Sequence, residues 1–354
     1  MADTFEHILF VGPDHRNHRG GIGAVLAVYA KHIRPFKFIP TLSYRHKFIE
    51  AFFFMGALFR LTTTLLSDRK IRIVHVHGAK DGSIFRKAFV VFISKKLFGK
   101  KLVFHIHAGA FDERYIGGST VYRTLCRFVV NQSDQLVLLS AQWNDFFYKN
   151  FRLKGIRVIP NPVEQKAAQP PSAGPMIRFL FLGRIADHKG IFDLLRLIYA
   201  EQDQWKNKCH FSVGGNHEIE RLQNTIRENG TGQLVEYIGW VDGQDKEQQF
   251  NNCHYFILPT YEEAMPMTLL EAFSYGRAAL TTPVGSIPEI MQNGCEGWLF
   301  QPGDTDTLRG LINQALDNPE QAVQLGNNAL QRASRFYPEA IRHHLEELYR
   351  SLEK

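Results

Sequence analysis

The stretch YEEAMPMTLLEAFSYG, residues Tyr261 to Gly276, decides how this chain is read. An apolar run, His254-Tyr-Phe-Ile-Leu258, leads into it and predicts a strand. A helix should then begin near Pro266 or Met267 and stop at Gly276, a residue suited to a left-handed helix end. Strand, loop and helix in that order make one unit of a parallel α/β fold. The first-turn N–H groups of such a helix lack intrahelical acceptors, and with the helix dipole they form a place for a phosphate. A diphosphate is expected there. Glu271 falls one turn into the helix, where it can accept hydrogen bonds from vicinal hydroxyls such as those of a ribose. Glu263 stays in the loop, facing whatever is attached beyond the phosphates.

The same grammar runs outward in both directions. Upstream, apolar runs rich in Ile, Val and Phe alternate with helical patterns, predicting strands near 7–11, 37–42, 71–77, 101–107, 134–139 and 156–159. These make one Rossmann-like domain, closed by Asn161-Pro-Val163. The segment Gln165 to Pro175 is a linker by composition. A second series begins at Ile177 and continues near 209–213, 234–238, 254–258, 278–281 and 298–300. The expected organisation is 1–163, a linker 164–176, 177–335, and a terminal helix 336–354 with Ile341, Leu345, Leu348 and Leu352 on one stripe.

With 354 residues, 44% hydrophobic and 12% aromatic, the chain can build two separate cores. No basic region, apolar segment and cleavage site open the sequence, so no signal peptide is read and a cytoplasmic location is expected. Cys126, Cys209, Cys253 and Cys295 are far apart, which argues against a disulfide framework or a structural zinc. Residues 1–164 hold 25 Lys and Arg against 11 Asp and Glu, a balance of +14, whereas the remainder holds 17 against 24, a balance of −7. The basic half calls for an anionic partner. No nucleic-acid recognition motif is present, so an anionic membrane surface or a phosphate-bearing acceptor fits better.

In the first half, the loop from Gly12 to Gly23 is glycine-rich but is not G-x-G-x-x-G, which disfavours a dinucleotide enzyme, as does the lack of an acidic residue near 42. Phe48 to Leu66 approaches the length of a membrane span, but Glu50, Arg60 and three threonines interrupt it, so a core helix is expected. Its flanks mix Arg34, Lys37, Arg45 and Lys47 with Phe36, Phe38, Tyr44 and Phe48. Membrane-surface contact and a solvated basic face both fit that mixture. His75 and His77, and His105 and His107, share strand faces by period two. Zinc is the poorer reading of them, because no carboxylate or cysteine has ligand spacing. His75 and His105 are expected inside the sheet. Asp304-Thr-Asp306 reads as a helix N-cap instead of a metal site, and Trp240 fits either a place near a nucleotide base or burial.

Glu263 and Glu271, with Val284-Gly-Ser-Ile-Pro-Glu289, Gly294-Cys-Glu-Gly297, Phe181-Leu-Gly-Arg184 and Lys189-Gly190, resemble the E-x7-E signature region of retaining family 4 glycosyltransferases of the GT-B fold. The resemblance implies two Rossmann-like domains facing each other across a cleft, an acceptor domain first and a nucleotide-sugar domain second, with the terminal helix returning to the first. It implies catalytic roles for Glu263, Arg184, Lys189 and His107. It implies donor binding by Glu271, Gly183, Gly20, Gly21, Met265, Pro266, Met267 and Thr268. No metal and no cofactor are implied, the donor being a UDP-sugar or GDP-sugar. The implied partners are that donor and a glycan or lipid-linked acceptor. The charge split and the cation-aromatic mixture add the expectation that residues 34–60 meet an anionic membrane surface, with a peripheral position on the inner face of the membrane. Nucleic acid is not among them. A sugar-nucleotide epimerase of the same fold and a nucleotide-sugar-binding module without turnover remain open alternatives.

Overall fold

A computed structural model describes residues 4–16, 20–43, 47–170, 174 and 176–353. Its strands are β1 (Ile8–Gly12), β2 (Lys37–Pro40), β3 (Ile73–Gly78), β4 (Lys101–Ile106), β5 (Gln135–Leu138), β6 (Ile156–Val158), β7 (Ile177–Ile185), β8 (Cys209–His217), β9 (Val235–Gly239), β10 (Tyr255–Leu258), β11 (Ala278–Thr281) and β12 (Gly297–Leu299). The helices are α1 (Gly21–His32), α2 (Lys47–Ser67), α3 (Gly82–Val91), α4 (Phe111–Ile116), α5 (Thr120–Gln132), α6 (Asn144–Asn150), α7 (Ile191–Ala200), α8 (Gln202–Trp205), α9 (Ile219–Glu228), α10 (Gly243–Asn252), α11 (Met267–Ser274), α12 (Ile287–Ile290), α13 (Thr305–Asp317), α14 (Gln321–Ala333) and α15 (Pro338–Glu353). Every strand expected from the apolar runs is present. β7 and β8 run further than their apolar cores because they stay paired in register as far as Ile185 and His217.

The chain divides into two compact units, Met1–Val163 with Phe336–Lys354, and Glu164–Arg335. The first holds a parallel sheet of order β2-β1-β3-β4-β5-β6. Every residue of β1 and β3 is buried, as strands covered by helices on both faces must be. Its last helix, α15, buries Ile341, Leu345, Leu348 and Tyr349. The Tyr349 hydroxyl meets His75 Nδ1 at 2.6 Å, and its ring stands edge-on to Phe5 at 5.8 Å.

α2 corrects an expectation. Only one side of it is buried, through Ala57, Leu61 and Leu65, so it is a surface helix and not a core one. The window Ile49–Ser67 is long and apolar enough to cross a membrane by length and composition, yet only 17% of it is buried.

The second unit holds a parallel sheet of order β12-β11-β10-β7-β8-β9. Strand order reverses between β7 and β10. In open α/β sheets, ligands bind beyond the carboxyl ends of the strands at such a switch point. Of the linker read at Gln165 to Pro175, residues 165–170 have no regular structure, and 171–173 and 175 lie outside the described residues. All four cysteines are free thiols.

Candidate functional site

At the switch point of the second unit, the loops after β7 and β10 are sewn together by backbone. The Tyr261 N–H donates to the His188 carbonyl at 2.8 Å, and Thr260 Oγ1 donates to the same carbonyl at 3.2 Å. Gly190 makes this approach possible: it sits at φ 68°, and a Cβ there would fall 1.9 Å from the Pro259 carbonyl oxygen. The result is a short contact between two residues far apart in sequence. Lys189 Nζ donates to Glu263 Oε1 at 2.6 Å and to the Glu262 carbonyl at 2.9 Å. An ammonium has three donors, so one is left for a ligand. Burial pushes the Glu263 carboxyl up from its ordinary value, against the pull of Lys189.

The Val284-Gly-Ser-Ile-Pro-Glu289 motif supports this loop from behind. The Ser286 N–H donates to the Ala264 carbonyl at 3.1 Å. Gly285, at φ 55°, passes so close to Glu263 that a Cβ would meet its carbonyl oxygen at 2.0 Å.

α11 follows Pro266, which supplies no side-chain cap. Leu269 and Leu270 donate to the Pro266 carbonyl, while the N–H groups of Met267 and Thr268 have no acceptor among the described residues. The helix begins where the sequence places it, with these first-turn donors unpaired. Met265 is buried beside it. One turn on, Glu271 Oε1 accepts from Lys246 Nζ of α10 at 2.7 Å. Lys246 has no signal in the sequence, because it comes from a polar helix that carries no motif.

Gly183 and Arg184 lie just before the end of β7 at Ile185. Arg184 is exposed and makes no ion pair among the described residues, and the structure shows no contact bringing it to Lys189 or Glu263. Asp304 does cap α13, accepting from the Thr307 N–H at 3.0 Å. Trp240 is 48% exposed, which removes the buried reading of that residue.

In the first unit, Gly20 and Gly21 open α1, with Gly20 extended and a Cβ on Gly21 meeting nothing within 4 Å. Packing within the unit therefore does not demand glycine at position 21. His107 follows β4 with both ring nitrogens engaged, Nε2 with His77 Nδ1 at 2.9 Å and Nδ1 with Asn161 Oδ1 at 3.2 Å. Burial holds it at about 3, so its ring is neutral at pH 7. His75 and His105 are buried in the sheet as expected.

Ligand nitrogens of His75, His77 and His105 lie within 4.8 Å of one another. The rings of His75 and His77 are nonetheless stacked, 4.5 Å apart at 7°, and His75 Nδ1 and His77 Nδ1 already have partners. The Nε2 atoms of His75 and His77 have no partner among the described residues, and the group of three histidines includes no carboxylate or cysteine. A further residue without a sequence signal is Lys87 of α3, buried with Nζ donating to Thr41 Oγ1 at 2.7 Å and pushed down to about 7 by burial.

With this geometry in hand, two family models match the chain: Glycosyltransferase Family 4 over residues 8–166 and Glycosyl transferases group 1 over residues 163–332. The chain belongs to the family 4, group 1 glycosyltransferases. Among curated relatives, the lipopolysaccharide 1,6-galactosyltransferase of Salmonella typhimurium is 31% identical over 51% of this chain and 52% of its own length. The phosphatidylinositol N-acetylglucosaminyltransferase gpi3 subunit of Schizosaccharomyces pombe is 26% identical over 78% of this chain and 60% of its own length. The match spans about half the length of the first curated relatives. Among solved structures, HepE of Anabaena in complex with UDP has a TM-score of 0.77 at 16% identity, covering 97% of this chain and 99% of that one. A sucrose-phosphate synthase from Thermosynechococcus elongatus has a TM-score of 0.79 at 16% identity, covering 98% and 99%. The architecture of two parallel-sheet Rossmann-like units is the GT-B fold of this family.

Proposed function

We propose that the chain is a retaining glycosyltransferase that moves a sugar from a nucleoside diphosphate sugar to an acceptor hydroxyl, in surface polysaccharide or glycolipid assembly. The observation that carries this reading is the Lys189–Glu263 contact at the switch point of the second unit, four residues ahead of a helix whose first N–H groups are unpaired. Lys189 and the N–H groups of Met267 and Thr268 supply positive charge where a diphosphate leaving group gains negative charge as the glycosidic bond breaks. Arg184, exposed at the end of β7, adds to this. Gly183 lets the donor approach the strand end.

Glu271 accepts the ribose hydroxyls, with Lys246 fixing its carboxylate. Glu263, with one oxygen on Lys189, is assigned the role usual in this family, orienting sugar hydroxyls instead of attacking. The departing phosphate takes the acceptor proton. For Gly20, Gly21 and His107 of the first unit, the donor-binding and catalytic roles rest on the family resemblance, beside the open space around Gly21 and the neutral ring of His107. The first unit binds the acceptor, a glycan or lipid-linked molecule, and the second binds the donor. A UDP-sugar is supported by the complexes of similarly folded proteins, with a GDP-sugar as the other candidate. The reading needs no divalent ion, since side chains and the start of α11 carry the positive charge, and it places the chain in the cytoplasm at the inner face of the membrane.

A panel of UDP-, GDP- and ADP-sugars, scored for nucleoside diphosphate release with and without EDTA, tests it. One donor should be turned over in EDTA, and Glu263→Gln should lower that rate at least tenfold with nucleotide affinity kept. Binding without release for every donor would favour the non-catalytic alternative. Loss in EDTA that magnesium or manganese restores would remove the metal-free part.

A further inference from the structure

We propose that His217, at the end of β8, is a donor-binding residue that hydrogen-bonds the diphosphate of the nucleotide sugar at the switch point of the second unit. Among the described residues, four other than glycine take positive φ: Asp81, Ala110, Asn207 and His217. At φ 97° His217 lies well outside the left-handed helical basin near ~57°, where the occasional non-glycine residue is found. Backbone of this kind persists only where its surroundings fix it, and it concentrates at ligand-binding sites.

The surroundings do fix it. β8 stays in register with β7 to its last residue, Gly215 opposite Gly183, Asn216 opposite Arg184 and His217 opposite Ile185. Gly215 presses so close that a Cβ would meet the Gly183 carbonyl oxygen at 1.8 Å, and its own carbonyl accepts from the Tyr237 hydroxyl at 2.9 Å. The Glu218 N–H, next in the chain, donates to the Ile185 carbonyl at 3.2 Å. The imidazole, by contrast, gains nothing from the fold. It is 47% exposed, and its Nδ1 stands 3.7 Å from the Glu218 carboxylate, beyond hydrogen-bond reach. Glycine would hold this turn at lower cost, so packing does not call for a histidine here.

Arg221 brings the turn to the donor site. Its guanidinium spans two carboxylates, with Nη1 and Nη2 donating to Asp187 at 2.9 Å each and Nη1 to Glu218 at 2.6 Å, while it lies over the Phe192 ring at 3.6 Å. Asp187 is two residues ahead of Lys189, and Glu218 follows His217. One side chain therefore ties the loop after β8 to the loop that carries Lys189. It also compensates the charge of Glu218, the carboxylate beside the imidazole, so that an anion is not repelled there. Arg184, across from Asn216 on β7, adds positive charge. A ring N–H beside an arginine at the carboxyl ends of two parallel strands suits a phosphate oxygen. The proposal rests on the nucleotide-sugar reading of this site and adds a contact to it.

Isothermal titration of UDP, GDP, uridine and guanosine into the wild type, His217→Gly and His217→Asn tests it, with melting temperatures taken on the same preparations. For the nucleotide that the wild type binds, His217→Gly should lower the affinity at least fivefold while keeping or raising the melting temperature, because the strained side chain is gone. Affinity for the corresponding nucleoside should be unchanged. His217→Asn, which tolerates positive φ and keeps an N–H donor, should recover part of the loss. Unchanged nucleotide affinity in His217→Gly would overturn the proposal. So would an equal loss of nucleoside affinity, or a fall in melting temperature showing that the ring supports the fold. Binding of neither nucleotide by the wild type would remove the donor reading and the proposal with it, whereas tight binding that the glycine variant leaves untouched removes the proposal alone.

Discussion

Lys189 shows how much one side chain decides. Its ammonium bridges a carboxylate and a backbone carbonyl from the loop after β10, and that bridge turns two separate βα loops into one site. The pairing is legible in part: a lysine before a glycine in one βα loop and a glutamate in another suggest convergence, but only the fold shows that β7 and β10 are adjacent. Lys246 is not legible at all, since its importance lies in reaching Glu271 from α10.

The histidines carry a prediction at this scale. Burial holds His75 and His107 at about 3 and pushes His77 and His105 well below their ordinary value. An unfolded histidine titrates near ~6.5. Below that pH the unfolded chain binds more protons than the folded one, so stability rises with pH through this window and is fully present above it. Each buried histidine contributes up to ~1.4 kcal/mol per pH unit. The melting temperature should therefore fall steadily from pH 7 to pH 5, as followed by circular dichroism. A flat profile would show that these rings are not buried and neutral.

At the scale of elements, the strands are readable because a strand covered on both faces is a continuous apolar run. α2 is not, because a helix with apolar residues all round reads as buried. Here one side faces the core and the other is exposed, a distinction no periodicity in the sequence carries. The loops around the site depend on glycines whose role lies in backbone approach. Gly285→Ala would force a Cβ onto the Glu263 carbonyl at a positive φ. It should destabilise the protein by ~1–3 kcal/mol and lower turnover by displacing Glu263. Gly21→Ala is the opposite case, with open space around it, and should leave the melting temperature unchanged or raise it. Equal melting temperatures for the two variants would show that the approach of Gly285 to Glu263 is not as tight as described.

At the scale of the molecule, each unit is a parallel sheet with helices on its faces, and the first is completed by the last residues of the chain. The alternation of apolar runs and helical patterns announces two such sheets. The charge asymmetry announces an anionic partner for the first, but not which face would meet it. The central claim is that the second unit holds a nucleoside diphosphate with its diphosphate on Lys189 and the start of α11 and its ribose on Glu271. Isothermal titration of UDP and GDP into the wild type, Glu271→Ala and Glu263→Ala tests it most directly. One nucleotide should bind the wild type, its affinity should fall at least tenfold in Glu271→Ala, about 1.4 kcal/mol or more, and it should be nearly unchanged in Glu263→Ala. Equal loss in both variants, or no binding of either nucleotide to the wild type, would contradict the account.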